Sequence, residues 1–135
     1  MILLDTVVVS AVLRRRRRGE REEGLAKQVA ALLDSDTPVA LPGIVLQELL
    51  SGIAERLQHE RVLAAVRESF PVVLATEGDH LMAADLVNAA ARKGLALSTP
   101  DALIAAQALN RRARLFTTDG DFEKLAGLAG LKLVR

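Results

Sequence analysis

Short apolar runs alternate along this chain with longer stretches in which apolar residues recur every three or four positions. The short runs are typical of buried strands, and the longer stretches are typical of amphipathic helices. We predict five strands, at residues 2–5, 39–41, 72–74, 115–117 and 132–134. We predict seven helices, at residues 7–13, 20–33, 44–51, 55–68, 77–93, 100–110 and 121–128. This alternation indicates an α/β fold, with a central parallel sheet of about five short strands flanked by helices on both faces.

The length of 135 residues suits one hydrophobic core, so we predict a single domain over residues 1–135. Half of the chain is hydrophobic, yet no apolar run approaches the ~20 residues of a membrane span. Met1 leads directly into a strand rather than into a charged segment followed by a cleavable apolar stretch. We therefore expect a cytoplasmic protein without a membrane partner. The absence of Cys excludes disulfides and thiolate metal sites.

Glycines and capping residues mark several helix ends. Gly94 is expected to end the fifth helix in the left-handed conformation, and Gly52 to divide the third from the fourth in the same way. Thr99 can serve as the N-cap of the sixth helix, with Pro100 as its first residue. Asp101 then lies in the first turn, where the helix dipole alone explains its charge.

Four acidic residues stand where predicted elements begin or end. Asp5 and Asp119 follow apolar strands, and Glu48 and Asp101 lie early in helices. In an open α/β sheet, the carboxyl ends of the strands and the starts of the following helices form one crevice. Each acid alone could be only a helix cap, but their joint placement, with no Lys or Arg next to Asp5 or Glu48, favours a shared site. A hard divalent cation is the natural bridge between such carboxylates.

Five segments resemble the PIN domain family, in particular the VapC toxins of bacterial and archaeal toxin–antitoxin pairs. The segments are 1–6 (MILLDT), 45–52 (VLQELLSG), 98–106 (STPDALIAA), 115–122 (LFTTDGDF) and 130–133 (GLKL). Their order and spacing are similar over essentially the whole chain. The resemblance implies an endoribonuclease that cuts a structured RNA, and a cognate antitoxin whose carboxyl-terminal segment enters the active-site groove. It also implies a homodimer.

The resemblance further implies roles for individual residues. The catalytic acids and metal ligands would be Asp5, Glu48, Asp101 and Asp119, supported by Thr6 and Thr117. Mg²⁺ or Mn²⁺ held there would activate a water and neutralise charge on the phosphorane oxygens. Some of the acids would act through water, because Mg²⁺ commonly takes only one or two carboxylates. Asp121 matches a further acidic position of the family, and it either joins the metal site or begins the last helix.

Two groups of basic residues are candidates for contact with RNA. The first is a run of five arginines, Arg14, Arg15, Arg16, Arg17 and Arg18. It is either a solvated surface or a site that contacts the phosphates of the RNA backbone, about two helical turns beyond the metal site. The second, at positions 111, 112 and 114, either closes the dipole of the sixth helix or contacts RNA.

The chain lacks the residues that several other catalytic mechanisms require. The chain has two His and no Gly-rich phosphate loop ending in Lys and Ser or Thr, so His-based catalysis and nucleoside triphosphate hydrolysis have little support. Phe116 and Phe122 are expected in the core, so aromatic stacking should not drive RNA recognition. A receiver-like phosphoacceptor domain would need a pair of acids after the first strand and a Lys after a late strand. Here Asp5 stands alone and no Lys is suitably placed, so this function is not favoured. A non-catalytic PIN-like module that binds RNA or antitoxin, and a DNA-directed nuclease, remain alternatives.

Overall fold

The computed structural model describes residues 1–13 and 19–134, which form five strands and seven helices. The strands are β1 (Ile2–Leu4), β2 (Val39–Pro42), β3 (Val72–Val73), β4 (Arg114–Phe116) and β5 (Lys132–Leu133). The helices are α1 (Thr6–Leu13), α2 (Glu20–Asp34), α3 (Gly43–Ser51), α4 (Arg56–Ser69), α5 (Glu77–Arg92), α6 (Thr99–Asn110) and α7 (Gly120–Ala129). All strand pairs are parallel, which confirms the predicted fold class.

The order of the strands across the sheet is β3-β2-β1-β4-β5. Strand β1 is central, with Ile2 beside Val39 of β2 and Leu4 beside Phe116 of β4. From β1 the chain adds β2 and β3 on one side, and then crosses to add β4 and β5 on the other. The direction therefore reverses between β1 and β4, and a crevice opens beyond the carboxyl ends of these strands. Asp5 and Thr117 are the residues that follow them.

The core lies between the sheet and the apolar faces of the helices. All of β1 is fully buried, as expected for a parallel strand covered on both faces. Phe116 and Phe122 are buried as predicted, and Phe70, at the end of α4, is buried with them. Across residues 1–13 and 19–134, no helix has the length and apolar character needed to cross a membrane.

The helix ends correct two of the sequence-based expectations. Gly94 does follow α5 in the left-handed conformation, with φ of +77°. Gly52 ends α3, but with φ of −88° it stays in the right-handed region, so a glycine is not required there. The N-cap of α6 is Ser98 rather than Thr99, because the Ser98 hydroxyl accepts a hydrogen bond of 3.2 Å from the Asp101 amide.

A buried carboxylate joins the start of α5 to the end of α6. Asp79 is 1% exposed and accepts hydrogen bonds from the Thr76 amide (2.9 Å), Asn110 Nδ2 (2.8 Å) and both terminal nitrogens of Arg111 (3.1 and 2.9 Å). Burial raises the pKa of Asp79, but the hydrogen bonds from Arg111, Thr76 and Asn110 outweigh it and hold that pKa well below its usual range. Arg111 also donates to the Gln107 carbonyl near the end of α6. Arg111 is thus bound within the fold, where it closes the end of α6.

Replacing Arg111 by Lys is expected to lower the free energy of unfolding by roughly 2 kcal/mol, because at least one charge-assisted hydrogen bond to Asp79 is lost. The depressed pKa of Asp79 means that its contribution is fully present above about pH 4 and is lost as the pH falls. The difference between the variant and the wild type should therefore shrink in acid. Thermal melts followed by circular dichroism measure this, because the chain has no Trp or Tyr. Arg112→Lys, an exposed position, is the matched control and should melt like the wild type.

Candidate active site

Asp5 is the buried anchor of the site. It directly follows β1 and is only 5% exposed, and its amide donates to the Phe116 carbonyl (3.0 Å). Its carboxylate accepts one hydrogen bond from the Thr6 amide at Oδ1 (2.8 Å) and one from Thr117 Oγ1 at Oδ2 (2.7 Å). Both carboxylate oxygens are therefore oriented by groups that follow the two strands of the switch point.

Thr117 links the acids that follow β1 and β4. Its hydroxyl donates to Asp5 and accepts from the Asp119 amide (3.1 Å). Asp119 is the N-cap of α7, and its Oδ1 accepts from the Asp121 amide (2.9 Å). This series of hydrogen bonds runs from the end of β1 to the first turn of α7. It fixes the position of one acid relative to the next.

Glu48 enters the site from α3. Its Oε1 accepts a hydrogen bond of 2.9 Å from Thr6 Oγ1, although the two residues are 42 positions apart in the sequence. Thr6 thus contacts two acids, with its amide on Asp5 and its hydroxyl on Glu48. Glu48 is exposed, in contrast to Asp5. The site therefore has a buried side and an open side.

Three acids come close enough together to hold one cation. One carboxylate oxygen each from Asp101, Asp119 and Asp121 lies within 4.8 Å of the others, and all three residues are partly buried. Ligands on opposite sides of Mg²⁺ are about 4.2 Å apart, so these oxygens need only small side-chain adjustments to meet one ion. The all-oxygen donor set also fits a hard divalent cation. Asp121 is the second residue of α7, not its first, and its carboxylate lies in this group.

Electrostatic interactions connect these three acids to Asp5 and Glu48. Burial raises the pKa of Asp5, against hydrogen bonds from Thr117 and Thr6 that lower it, and the charges of Glu48 and Asp119 raise it further. Burial likewise raises the pKa of Asp101, against a hydrogen bond with Ser98 that lowers it. The charges of Asp5, Asp119 and Asp121 add to the rise.

The cluster therefore contains five carboxylates. Within residues 1–13 and 19–134, no Lys, Arg or His forms an ion pair with any of them.

If the site performs the phosphodiester cleavage that the sequence resemblance implies, Thr117→Val is expected to lower kcat/KM roughly tenfold, about 1.4 kcal/mol, because Asp5 loses the donor that orients Oδ2. Since the Thr117 hydrogen bond lowers the pKa of Asp5, the acidic limb of the pH–rate profile should also move to higher pH. Thr117→Ser keeps the hydroxyl and should restore both the rate and the profile. A Val variant that melts like the wild type and keeps its pH profile would contradict this role for Thr117.

Sequence reasoning located most of these residues and missed one. Asp5, Glu48, Asp101, Asp119 and Asp121 meet in one cluster, with Thr6 and Thr117 hydrogen-bonded to it. Ser98 was missed, although the pattern Ser-x-x-Asp ahead of an apolar run is typical of a helix start. The five arginines at 14–18 lie outside the described residues. Arg114 begins β4, so it lies at the amino-terminal ends of the strands, opposite to the acids.

Comparisons with known proteins agree with this architecture. The sequence model of the PIN domain matches residues 2–128. Among solved structures, a chain of a toxin–antitoxin complex from Klebsiella pneumoniae is 27% identical, with a TM-score of 0.68 over 97% of this chain and 95% of that one. FitAcB from Neisseria gonorrhoeae is 25% identical, with a TM-score of 0.79 over 100% and 97%. No curated protein sequence gives a significant match.

VapC20 from Mycobacterium tuberculosis, a sarcin–ricin loop cleaving toxin, has the same fold. It is 21% identical, with a TM-score of 0.70 over 97% of this chain and 98% of that one. At this identity the similarity concerns the fold alone. The structural neighbours thus include toxins of toxin–antitoxin pairs that cover nearly the full length of the chain.

Proposed function

This chain belongs to the PIN domain family, and on that premise we propose that it is a divalent-metal-dependent endoribonuclease. We propose that it acts as the toxin of a toxin–antitoxin pair, on a structured RNA and with Mg²⁺ or Mn²⁺ as cofactor. The observation that carries the proposal is the cluster of five carboxylates at the switch point of the sheet, with no ion pair to any described basic residue. Carboxylates this close repel one another at neutral pH unless a cation lies among them.

The acids divide into two groups with different tasks. Asp101, Asp119 and Asp121 supply the three oxygens within 4.8 Å of one another, so they would hold the cation most directly. Asp5 and Glu48 lie beside this group and would act on it through water or bind a second ion. Asp5 is buried and doubly hydrogen-bonded, so its task is to fix the charge on the closed side of the site.

The reaction is hydrolysis of a phosphodiester by water. A bound divalent cation supplies Lewis acidity to the phosphoryl group and makes water more acidic. Glu48 is the exposed acid, and its Oε1 is held by the Thr6 hydroxyl, so Oε2 is the oxygen available to accept a proton. Glu48 takes the proton of the attacking water as the new P–O bond forms. The P–O bond to the leaving ribose breaks, and the leaving oxygen is protonated from solvent.

An antitoxin and a second copy of the chain are the proposed protein partners. The 27% identical Klebsiella chain belongs to a toxin–antitoxin complex, which supports an antitoxin here. A cleft of about 250 Å³ between α1 and α2 borders the acids, since Thr6, Val7 and Ser10 line it together with Arg21 of α2. We propose that the carboxyl-terminal segment of the antitoxin enters this cleft. Coexpression with the product of the neighbouring reading frame should then relieve growth inhibition by the chain.

Cleavage of labelled nucleic acids tests the enzymatic proposal. The panel should contain structured RNAs, including the sarcin–ricin stem–loop because of the fold shared with VapC20, and DNA strands of the same sequences. We expect RNA to be cut with Mg²⁺ or Mn²⁺ and to stay intact in EDTA, and we expect DNA to stay intact in both. RNA that is bound but never cut would favour the non-catalytic module. Cleavage of DNA alone would favour the DNA-directed nuclease.

A further inference from the structure

A second cleft, of about 520 Å³, lies between the end of α5 and the second half of α7. Its lining residues are Lys93, Gly94, Leu95, Lys124, Gly127 and Leu128. Two exposed lysines therefore come to it from two different elements. A Cβ atom added at Gly94 or Gly127 would meet no heavy atom within 4 Å, so both glycines face open space and leave backbone accessible. The cleft is open, has two positive charges and has no aromatic lining.

The two elements that line this cleft are both close in sequence to residues of the acidic cluster. Lys124 follows Asp121 by three residues on α7, which is about 4.5 Å along the helix axis. Lys93 is joined by a short segment to Ser98, the N-cap of the helix that carries Asp101. The bonds of Asp79 join the start of α5 to the end of α6, so the two helices are antiparallel and the end of α5 lies toward the start of α6. The cleft therefore flanks the acids that would hold the cation.

The charges of the two lysines are not used within the fold. Neither ammonium group forms an ion pair or a hydrogen bond with any other residue in the ranges 1–13 and 19–134. Lys93 is the C-cap of α5, where the helix dipole favours a cation. The same reason does not apply to Lys124, because α7 has no basic residue in its last turn and Lys124 lies near its middle. An anion bound in the cleft would account for both positions.

We propose that Lys93 and Lys124 bind a backbone phosphate of the RNA next to the scissile phosphodiester. This subsite rests on the proposed ribonuclease function. Five carboxylates repel a polyanion, so the strand needs cations beside them to stay in place. Lysine ammonium groups act as point charges toward phosphate, whereas the cleft has no aromatic or amide side chain with which to read a base. The subsite would hold the strand in register without selecting a sequence.

Binding of a fluorescein-labelled mixed-sequence oligoribonucleotide tests the subsite in the Asp119→Asn background, where cleavage is expected to be about a hundredfold slower. Lys93→Gln/Lys124→Gln should flatten the slope of log K against log salt by about 0.7, the value for one single-strand phosphate contact. Affinity at about 0.1 M salt should fall roughly fivefold. In the otherwise wild-type enzyme the same double change should raise KM more than it lowers kcat.

Lys27→Gln/Lys132→Gln is the matched control, because it removes the same charge at exposed positions that do not line the cleft. Lys27 lies on α2. Lys132 is the first residue of β5, at the amino-terminal ends of the strands, opposite to the acids. The control should keep the wild-type slope, and circular dichroism melts should show that both double variants fold. An equal flattening in the control would mean that net charge acts rather than the cleft. That result overturns the proposal, as does an unchanged slope in Lys93→Gln/Lys124→Gln.

Two further measurements identify what the cleft binds. Lys93→Gln/Lys124→Gln should lose affinity for an abasic strand of the same length by the same factor as for the strand with bases. A loss confined to the strand with bases would overturn the phosphate assignment. A variant that binds RNA normally but loses an acidic polyglutamate peptide would assign the cleft to a protein partner instead. Because binding is measured separately from cleavage, a lysine-dependent slope without RNA cleavage would refute the catalytic function only. Cleavage with an unchanged slope would refute the subsite only.

Discussion

Single amide substitutions in the acidic cluster are expected to lower kcat by about a hundredfold or more, which is about 2.7 kcal/mol of transition-state stabilisation. The four changes are Asp5→Asn, Glu48→Gln, Asp101→Asn and Asp119→Asn. Each removes one negative charge and almost no volume, so the fold should remain intact. The loss should be large because the acids act together: each charge raises the affinity of the others for a cation. Cleavage of a labelled RNA with Mg²⁺ or Mn²⁺ measures it.

Asp34→Asn and Glu68→Gln are the matched controls for these substitutions. Both residues are exposed, at the ends of α2 and α4, and neither belongs to the cluster. These variants should cleave at the wild-type rate, and every variant should show the helical circular dichroism of the wild type. If any two of the four cluster variants were folded and cleaved at the wild-type rate, the cluster would not be the catalytic site.

The ends of the strands were predictable to within one residue because burial and turn residues act locally. An apolar run followed by an acid, as in the segment that ends at Asp5, needs no knowledge of the rest of the chain. The strand order was not predictable, since pairing of β1 with β4 brings together residues far apart in the sequence. Only that pairing makes β1 and β4 the two strands of the switch point. The hydrogen bond from Thr117 to Asp5 depends on it and spans 112 positions.

The arginines show where local reasoning ends. Arg111, Arg112 and Arg114 form one basic group in the sequence, but the structure gives them different surroundings. Arg111 meets a buried carboxylate because α5 packs antiparallel to α6, and Arg112 stays exposed. Arg114 begins β4, at the amino-terminal ends of the strands, whereas the acids lie beyond the carboxyl ends. A cluster of charge in sequence therefore does not become a cluster in space unless one element holds it on one face.

Binding of a divalent cation is expected to raise the melting temperature at neutral pH by roughly 10 °C. The folded pKa values of Asp5 and Asp101 lie above their ordinary values, chiefly because of burial and in addition because of neighbouring carboxylates. A group with a raised folded pKa prefers its protonated form in the native state. Without metal, the contribution of Asp5 and Asp101 to stability is therefore fully present below the unfolded value of about 3.9 and is lost as the pH rises toward the folded values.

A cation that binds only the native state offsets this loss. At a hundredfold excess over Kd the gain is about 2.7 kcal/mol, which for a domain of this size corresponds to roughly 10 °C. Melts at neutral pH in EDTA and in millimolar Mn²⁺, followed by circular dichroism or calorimetry, measure the gain directly. Melts at about pH 4 should show a much smaller effect, because protonated carboxylates neither repel one another nor bind the ion.

Asp101→Asn separates a metal-bridged cluster from a set of independent helix caps. The change removes a charge with a raised pKa, so in EDTA at neutral pH the variant should be more stable than the wild type. It also removes a ligand, so Mn²⁺ should stabilise the variant less than the wild type. Asp34→Asn, in contrast, should follow the wild type in both conditions. If the wild type melts identically in EDTA and Mn²⁺, and Asp101→Asn gains nothing in EDTA, the carboxylates do not share a cation and the proposed hydrolysis loses its physical basis.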